Sequence, residues 1–223
     1  MGRPPKTPQY REFDALDNCL AYQGQLLKID EIFNNNNPVI VEVGCGKAEL
    51  SLALAVKNPE RNYLAIDMKA DRLVKGAKRA IESQIKNIRF LKLNLIHLAE
   101  ALELDFAEEV WVTFPDPWPK ERSAKHRLTH PAFVSNYKRL LKDSSLLKLK
   151  TDNLPLFAWS LNQLLVDDDF QVNNLSLDLH SETDVKHTAE TITFYEQKFM
   201  EQGIQINYLE LVYVPKHQDH QRS

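Results

Sequence analysis

Short apolar runs suited to buried strands alternate along this chain with helical segments, and this alternation restricts the possible folds more than any other feature. Val39–Val43 is a run rich in β-branched residues, and a glycine turn and a helical segment follow it. The remaining expected strands are 62–66, 88–93, 109–114 and 145–150, and the helices between them are 49–57, 69–83, 96–102 and 131–141. Parallel strands joined by crossover helices build a doubly wound sheet with helices on both faces. We therefore expect a Rossmann-like α/β fold, whose ligands bind beyond the carboxyl ends of the strands.

The flanking segments complete this predicted sheet. Residues 16–33 have partly helical apolar spacing and predict a helix, which ends at the asparagine run 34–37. Further helices are expected at 154–165 and 190–202, and alternating apolar and polar residues predict strands at 171–179 and 207–214. The result is a mostly parallel, seven-stranded sheet with an antiparallel edge strand. We expect a flexible basic, proline-rich arm at 1–14, a single domain at 15–215 and a polar tail at 216–223.

The composition is that of an ordinary globular protein. Of the 223 residues, 43% are hydrophobic and 26% are charged, and no apolar stretch approaches the roughly 18 residues of a membrane span. The first residues carry charge and proline but no apolar signal region. Cys19 and Cys45 are too few for a disulfide framework. We expect a cytoplasmic monomer or homodimer, with no membrane partner and no obligate protein partner.

The segment 114–120, Phe-Pro-Asp-Pro-Trp-Pro-Lys, places three alternating prolines at the end of a predicted strand. Each proline fixes its own φ near about −65° and disfavours helical geometry in the residue before it, so Phe114, Asp116 and Trp118 should be extended. Prolines donate no backbone hydrogen bond, so this segment must project from the sheet. A rigid connector would explain the prolines but not the acid between them. We therefore predict that Asp116 is the catalytic residue.

A glycine turn follows the first buried strand in the motif Glu42-Val-Gly-Cys-Gly46. Gly44 and Gly46 permit tight turning and close approach of the backbone to a ligand. A dinucleotide fingerprint needs a third glycine at the position of Glu49, so this turn disfavours NAD. Acidic side chains here would repel a pyrophosphate but suit a cationic ligand such as S-adenosylmethionine.

Two polar residues end the next two predicted strands. Asp67 follows the glycines by about 20 residues, where an acid can bind both hydroxyls of a ribose. Capping a helix is the alternative for Asp67, although its spacing from the glycines favours ribose binding. Asn94 is placed to contact an adenine edge, and an ordinary Asx turn is its alternative.

Basic residues follow the proline loop. Between 120 and 142 there are seven lysines and arginines against one acid, although the net charge of the chain is −3. Such a cluster suits a polyanion. A second basic run at 69–89 is interpreted as a solvated helix face. His126 and His130 lack the glutamate of a helical zinc-protease motif, and no cysteine pair assists them, so no metal site is predicted.

With these motifs the chain resembles the tRNA (guanine-N7)-methyltransferase family, a class of Rossmann-like enzymes that use S-adenosylmethionine as methyl donor. The resemblance spans nearly the whole chain. It depends on four motifs, Glu42-Val-Gly-Cys-Gly46, Pro115-Asp-Pro-Trp-Pro-Lys120, Leu149-Lys-Thr-Asp-Asn153 and Thr193-Phe-Tyr-Glu196. It implies transfer of a methyl group to N7 of a guanosine in the variable loop of tRNA.

The resemblance also implies roles for individual residues. The cofactor would contact Glu42, Asp67, Asn94 and Asp116 beside the glycines Gly44 and Gly46. The target nucleotide would contact Lys120, Asp152, Thr193, Phe194, Tyr195 and Glu196. The RNA would contact Arg122, Ser123, Ala124, Lys125, His126 and Arg127. The chain departs from the family pattern at Ala48, at Ser123 and His126, and at 143–145, where glycine, histidine, arginine and a glycine turn are usual.

Guanine N7 carries an in-plane lone pair and no proton, so its methylation requires alignment and no general base. Positioning of this kind supplies about 7 to 11 kcal/mol in the best intramolecular models. Asp116 could accept hydrogen bonds from guanine N1–H and N2–H₂, or balance positive charge during transfer, and the sequence leaves both roles open. Trp118 could stack on a base or plug the core. Asp152 could face the ligand or cap the helix that follows it.

Two other functions fit parts of the sequence. A nucleic-acid methyltransferase acting on an exocyclic amine has an Asp/Asn-Pro-Pro-aromatic loop at the same strand end. Here Pro115 precedes the aspartate and Trp118 follows a single proline, which disfavours that enzyme. The second alternative is a non-enzymatic RNA-binding protein with a vestigial pocket, and equilibrium binding of S-adenosylmethionine distinguishes it from an enzyme.

Overall fold

The computed structural model describes residues 8–181 and 193–216, and within them eight strands form one sheet. The strands are β1 (Cys19–Ala21), β2 (Val39–Val43), β3 (Asn62–Asp67), β4 (Ile88–Lys92), β5 (Ala107–Thr113), β6 (Leu141–Thr151), β7 (Phe170–Ser176) and β8 (Asn207–Tyr213). Their order across the sheet is β1-β4-β3-β2-β5-β6-β8-β7. Strand β8 runs antiparallel to both of its neighbours, and the other neighbouring pairs are parallel.

Helices cover both faces of this sheet. They are α1 (Pro8–Asp14), α2 (Ile29–Phe33), α3 (Glu49–Lys57), α4 (Ala70–Glu82), α5 (Leu98–Ala101), α6 (Pro131–Leu140), α7 (Leu154–Leu165) and α8 (Phe194–Glu201), with 3-10 helices at Leu95–His97 and Glu121–His126. Residues of α1, α3 and α4 pack into one apolar core, and residues of α2, α5, α6 and α7 pack into the other. All residues of β2 and β3 are buried, as expected for strands covered on both faces.

The parallel strands bring their carboxyl ends to one edge of the sheet. The register pairs Val43 with Ile66 and with Val112, so the glycine turn, the end of β3 and the proline loop after β5 begin side by side. This edge contains the predicted ligand-binding residues.

The Rossmann-like fold class is confirmed, and two details of the predicted sheet are corrected. There are eight strands instead of seven, and the antiparallel strand lies one place in from the edge, between β6 and β7. The additional strand, β1, lies inside the segment predicted as a helix at 16–33, and the helix begins only at Ile29. The helical spacing there is only partial, and pairing with the open edge of β4 outweighs it.

The predicted flexible arm at 1–14 is also corrected for residues 8–14. They form α1, whose Phe13 is fully buried and whose Glu12 forms an ion pair with Lys78 on α4. Residues 1–7, the loop residues 182–192 and the tail residues 217–223 lie outside the described residues. The start of the predicted helix 190–202 falls in that loop, and its described part is α8. Among the described helices, none has the length and apolarity needed to cross a membrane.

Candidate active site

Two cavities open at the carboxyl edge of the sheet and share the start of the proline loop. The first, of about 430 Å³, is lined by Asp67 and Asn94 from the ends of β3 and β4. The second, of about 370 Å³, is lined by Glu42 and Asp152 from β2 and the end of β6. Asp116 lines both cavities and is exposed. The structure therefore places the predicted catalytic carboxylate where a ligand in each cavity can reach it.

The backbone of the proline loop is not uniformly extended. Phe114 has a φ of 45° and Trp118 a φ of 44°, so the extended geometry predicted for these two residues is wrong. A positive φ is strained for a bulky residue, and such strain persists only where the surrounding structure imposes it. The Phe114 amide donates to the Lys150 carbonyl at 2.8 Å, and the Phe114 ring packs against Phe199 at 5.6 Å.

Trp118 lies at the wall of the first cavity. It is 41% exposed, and its ring centroid is 5.1 Å from that of His126. This exposure excludes the buried plug and leaves the indole free to stack on a planar ligand.

Glu42 is a buried carboxylate that the protein itself holds in place. Its Oε2 accepts hydrogen bonds from the Ser51 amide at 3.1 Å and the Ser51 hydroxyl at 2.5 Å, and its Oε1 accepts from the Thr113 hydroxyl at 2.7 Å. Burial raises the pKa of Glu42, although these hydrogen bonds oppose the rise. The carboxylate joins β2, α3 and β5 where they line the second cavity.

The glycine turn adopts left-handed backbone. Gly44 has a φ of 67°, which strains any other residue, and a Cβ built on it would lie 2.6 Å from Leu128 Cδ1, so the Leu128 side chain would have to shift. Two residues other than glycine also have left-handed backbone: Ala48, at the end of this turn, has a φ of 56°, and Ser144, within β6, has a φ of 65°. The left-handed conformation costs an ordinary residue about 1–2 kcal/mol.

Asp67 and Asn94 combine local backbone contacts with a place on the first cavity. Asp67 accepts from the Gly46 amide at 2.9 Å and from the Lys69 amide at 2.8 Å, which ties the glycine turn to the end of β3. Lys69 is the N-cap residue of α4, so the capping alternative for Asp67 is excluded. The side chain of Asn94 accepts a hydrogen bond from the Ile96 amide at 3.3 Å, which is the Asx turn given as its alternative role, and the residue also lines the first cavity.

Asp152 and Thr193 line the second cavity. The cap of α7 is Asn153, whose side chain accepts from the Leu156 amide at 2.8 Å. The capping alternative for Asp152 is thereby excluded. Thr193 is the N-cap of α8 and forms a capping box with Glu196.

Glu196 is not free to contact a ligand in this structure, which corrects its predicted role. Its side chain is fully buried, Oε1 accepts from Lys150 Nζ at 2.8 Å, and Oε2 accepts from the Thr193 amide at 2.9 Å. Burial raises the pKa of Glu196, but interactions with His180, Lys150 and the Thr193 amide outweigh it and lower the pKa to about 2. Phe194 and Tyr195 begin α8, and their side chains are outside the described part of the structure.

The predicted RNA-contact run forms the 3-10 helix Glu121–His126. Three of its side chains, Arg122, Lys125 and His126, are exposed, whereas Ser123 and Ala124 are intermediate. Lys120 precedes the helix and is exposed, and it is not among the residues that line the two cavities. Arg127 is different, because it is only 8% exposed.

Sequence reasoning missed other residues at the site. Arg72 on α4 lines both cavities, although the basic run 69–89 was interpreted as a solvated helix face. Thr113 ends β5 and holds Glu42, and a hydroxyl one residue before the proline loop was the available signal. Glu49, noted only as an acid at a helix start, has a buried Oε2 without a hydrogen-bond partner among the described residues.

The two cavities together fit S-adenosylmethionine. Glu49 lines the second cavity, and its unpartnered Oε2 can accept a hydrogen bond from an ammonium group. The first cavity offers Asp67, Asn94 and apolar walls to an adenosine. Across the described ranges, no group of three or more histidine, cysteine, aspartate or glutamate side chains is arranged to hold a metal ion.

Comparisons with known proteins identify relatives of this chain. A family model described as "Putative methyltransferase" matches residues 36–209. A tRNA (guanine-N(7)-)-methyltransferase of Cytophaga hutchinsonii is 39% identical over 201 residues, which cover 89% of each chain. One of Clostridioides difficile is 39% identical over 206 residues, which cover 88% of this chain and 94% of the relative.

Solved structures with low sequence identity share the fold. The 16S rRNA methyltransferase KamB matches with a TM-score of 0.62 at 15% identity, covering 83% of this chain and 92% of that one. Another match is a variant of the 16S rRNA (adenine(1408)-N(1))-methyltransferase of Catenulisporales acidiphilia with cosubstrate SAM. Its TM-score is 0.56 at 17% identity, and the match covers 81% of this chain and 87% of that one.

Proposed function

Because this chain belongs to the tRNA (guanine-N(7)-)-methyltransferase family, we propose that it transfers the methyl group of S-adenosylmethionine to N7 of a guanosine in tRNA, specifically in the variable loop. One observation carries the assignment of the site. Asp116 lies at the boundary of two cavities, and each cavity has its own set of polar groups.

The first cavity and the glycine turn form the cofactor side of the site. When bound, S-adenosylmethionine supplies an electrophilic methyl group on a sulfonium. Asp67 and Asn94 are placed to hold the adenosine, with Asp67 accepting from the ribose hydroxyls. Glu42 and the orphaned Glu49 oxygen place negative charge beside the glycine backbone, where they attract a cationic ligand.

The second cavity has two sides: Glu42 and Glu49 beside the glycine turn belong to the cofactor side, and Asp116, Asp152 and Thr193 form the guanosine side. Asp116 has no hydrogen bond or ion pair with any other described residue, so both of its oxygens are available to a ligand. We propose that it accepts from guanine N1–H and N2–H₂ and so directs N7 at the methyl group. Asp152 and Thr193 lie on the same cavity wall, and Lys120 lies at the end of the proline loop to meet the nucleotide. No general base is needed, because N7 carries a free lone pair.

Asp116→Asn combined with a base analogue tests this role. Inosine lacks the N2 amino group, so the wild-type enzyme should methylate tRNA with inosine at the target position more slowly. Losing a hydrogen bond to a charged group costs about 1.5–3 kcal/mol, or roughly 10- to 150-fold in rate. The Asp116→Asn enzyme should be slow on both tRNAs, with little further loss on inosine and an unchanged Kd for S-adenosylmethionine by calorimetry.

Two results would contradict this role. Equal rates of the wild-type enzyme on guanosine and inosine would favour charge balance over positioning. A large rise in the Kd for S-adenosylmethionine would make Asp116 mainly a cofactor ligand. The matched control is Asp71→Asn on α4, which removes an exposed acid that is not among the residues lining the two cavities.

Mapping the product tests the reaction itself. Purified protein, labelled S-adenosylmethionine and tRNA should yield N7-methylguanosine in the variable loop, and tRNA with adenosine at that position should take up no label. Label in N2-methylguanosine would instead support the exocyclic-amine enzyme. Binding of RNA without any methylated product would support the non-enzymatic alternative.

We further propose that residues 15–215 form the single methyltransferase domain and that the protein acts in the cytoplasm as a monomer or homodimer. The one continuous sheet supports a single domain. Light scattering of the purified chain during turnover tests the oligomeric state. Dependence of activity on a second protein would contradict the proposal.

A further inference from the structure

Arg127 follows the 3-10 helix Glu121–His126, yet its guanidinium turns back onto the proline loop. Nε donates to the Pro117 carbonyl at 3.2 Å and to the Trp118 carbonyl at 3.3 Å, and Nη2 donates to the Trp118 carbonyl at 3.0 Å. The guanidinium lies 4.5 Å from the centre of the Trp159 ring on α7. Arg127 therefore joins the loop to the helix behind it.

The burial of Arg127 separates it from its basic neighbours. It is 8% exposed, whereas Arg122 and Lys125 are exposed on the same short segment. A guanidinium engaged with two carbonyls and an aromatic face is poorly placed to meet a phosphate. Its contacts are also directed to the loop that carries Asp116.

Two features of the proline loop show that its backbone depends on outside contacts such as those of Arg127. Trp118 keeps a φ of 44°, a conformation that a bulky residue adopts only when its surroundings impose it. Asp116 has no side-chain hydrogen bond to any other described residue, so its direction depends on the backbone of the loop alone. The carbonyls that Arg127 binds belong to the two residues directly after Asp116.

We propose that Arg127 is a positioning residue, which fixes the proline loop so that Asp116 points between the two cavities, and that it is not an RNA-contact residue as the family resemblance implied. This inference rests on the proposed function of Asp116. A misplacement of about 1 Å at the reacting groups costs about 100-fold in rate. Loss of the Arg127 guanidinium and its hydrogen bonds to the Pro117 and Trp118 carbonyls should therefore lower kcat and leave tRNA affinity unchanged.

The test compares Arg127→Met and Arg127→Lys with Arg122→Met as matched control. For Arg127→Met we expect kcat to fall by about 100-fold, while the Kd for tRNA and its dependence on salt stay at wild-type values. Arg127→Lys keeps the charge and the aliphatic stem but not the planar fork, so it should recover little of the lost rate. Arg122→Met removes an exposed cation and should weaken tRNA binding, reducing the salt slope by about one.

Hydrogen exchange of the peptide containing 114–127 gives a readout that does not depend on catalysis. Faster exchange of the loop amides in both Arg127 variants, with unchanged exchange elsewhere, supports the proposal. Should Arg127→Met fail to fold, the same measurements are made on Arg127→Lys and on Trp159→Leu, which removes the ring that contacts both Arg127 and His130.

The inference is overturned if the Arg127 variants reduce the salt slope as Arg122→Met does while kcat stays unchanged. It is also overturned if loop exchange is unaffected. The proposed function fails separately, because that failure appears in the wild-type enzyme as the absence of N7-methylguanosine, whereas loop exchange is measured without substrate.

Discussion

Breaking the buried pair between Lys150 and Glu196 should destabilise the protein and release the start of α8 from the second cavity. The two side chains are 2% and 0% exposed, and Nζ lies 2.8 Å from Oε1. Lys150→Met keeps the length of the side chain but removes the charge, and with it the Nζ that lies 5.7 Å from the centre of the Trp111 ring. The carboxylate is then buried with the Thr193 amide and the His180 ring, 3.6 Å away, as its remaining neighbours.

Two estimates of the cost agree. Removing one partner of a buried ion pair costs about 3–5 kcal/mol. The lowering of the Glu196 pKa from 4.5 to about 2, to which His180, Lys150 and the Thr193 amide all contribute, corresponds to about 3 kcal/mol in total at neutral pH, at about 1.36 kcal/mol per pH unit, and is of the same order. A loss of this size in a chain of 223 residues lowers Tm by about 6–12 °C.

The lowered pKa of Glu196 also predicts how the free energy of unfolding depends on pH. Because the pKa of Glu196 is lowered by folding, its contribution is present above about pH 4.5 and is lost as the pH falls toward 2. The difference in stability between wild type and Lys150→Met should therefore shrink as the pH falls from about 4.5 toward 2.

Urea unfolding at several pH values measures this difference, with Glu196→Gln and the double variant completing a mutant cycle. The double variant should cost clearly less than the sum of the two single changes, because it leaves no buried unpaired charge. Additive single costs, a loss below about 1 kcal/mol for Lys150→Met, or a difference that grows in acid would refute the reasoning.

Three further changes test the rest of the site. Thr113→Val leaves Glu42 Oε1 without its 2.7 Å donor, so stability should fall by about 1–3 kcal/mol in urea unfolding, and the Kd for S-adenosylmethionine should rise. Joint replacement of Arg122 and Lys125 by glutamine should weaken tRNA binding and reduce the salt slope by about two, with S-adenosylmethionine affinity unchanged in calorimetry. Gly44→Ala should destabilise the fold by at least about 1–2 kcal/mol and impair cofactor binding, because the new Cβ meets a side chain and the φ is 67°. Wild-type stability of Gly44→Ala would contradict the close packing at the glycine turn.

The strand–helix alternation was enough to predict the fold class, because buried parallel strands have a distinct apolar pattern. The short strand β1 could not be predicted in the same way. Its three residues pair with the edge of β4, and nothing in the local sequence of 19–21 records that distant partner. The position of β8 inside the sheet likewise depends on pairings across long stretches of chain.

The candidate site was predictable where motifs follow strand ends, and less so where side chains meet from distant elements. Proline chemistry predicts a stiff loop but gave the wrong φ at Phe114 and Trp118, because contacts with Lys150 and Arg127 impose the backbone there. Those contacts join residues separated along the chain, and a local propensity contains no information about them.

The acidic side chains of the site divide into two groups that a motif does not distinguish. Glu42, Asp67 and Glu196 each have both oxygens engaged by donors of the protein. Asp116 and Asp152 have no such hydrogen bond within the described ranges, and both line the second cavity. An acid that already accepts from the protein stabilises the shape of the site, and a ligand can use only its remaining lone pairs, as proposed for Asp67 with the ribose. The two acids with open oxygens are the ones able to exchange water for the donors of a guanine base.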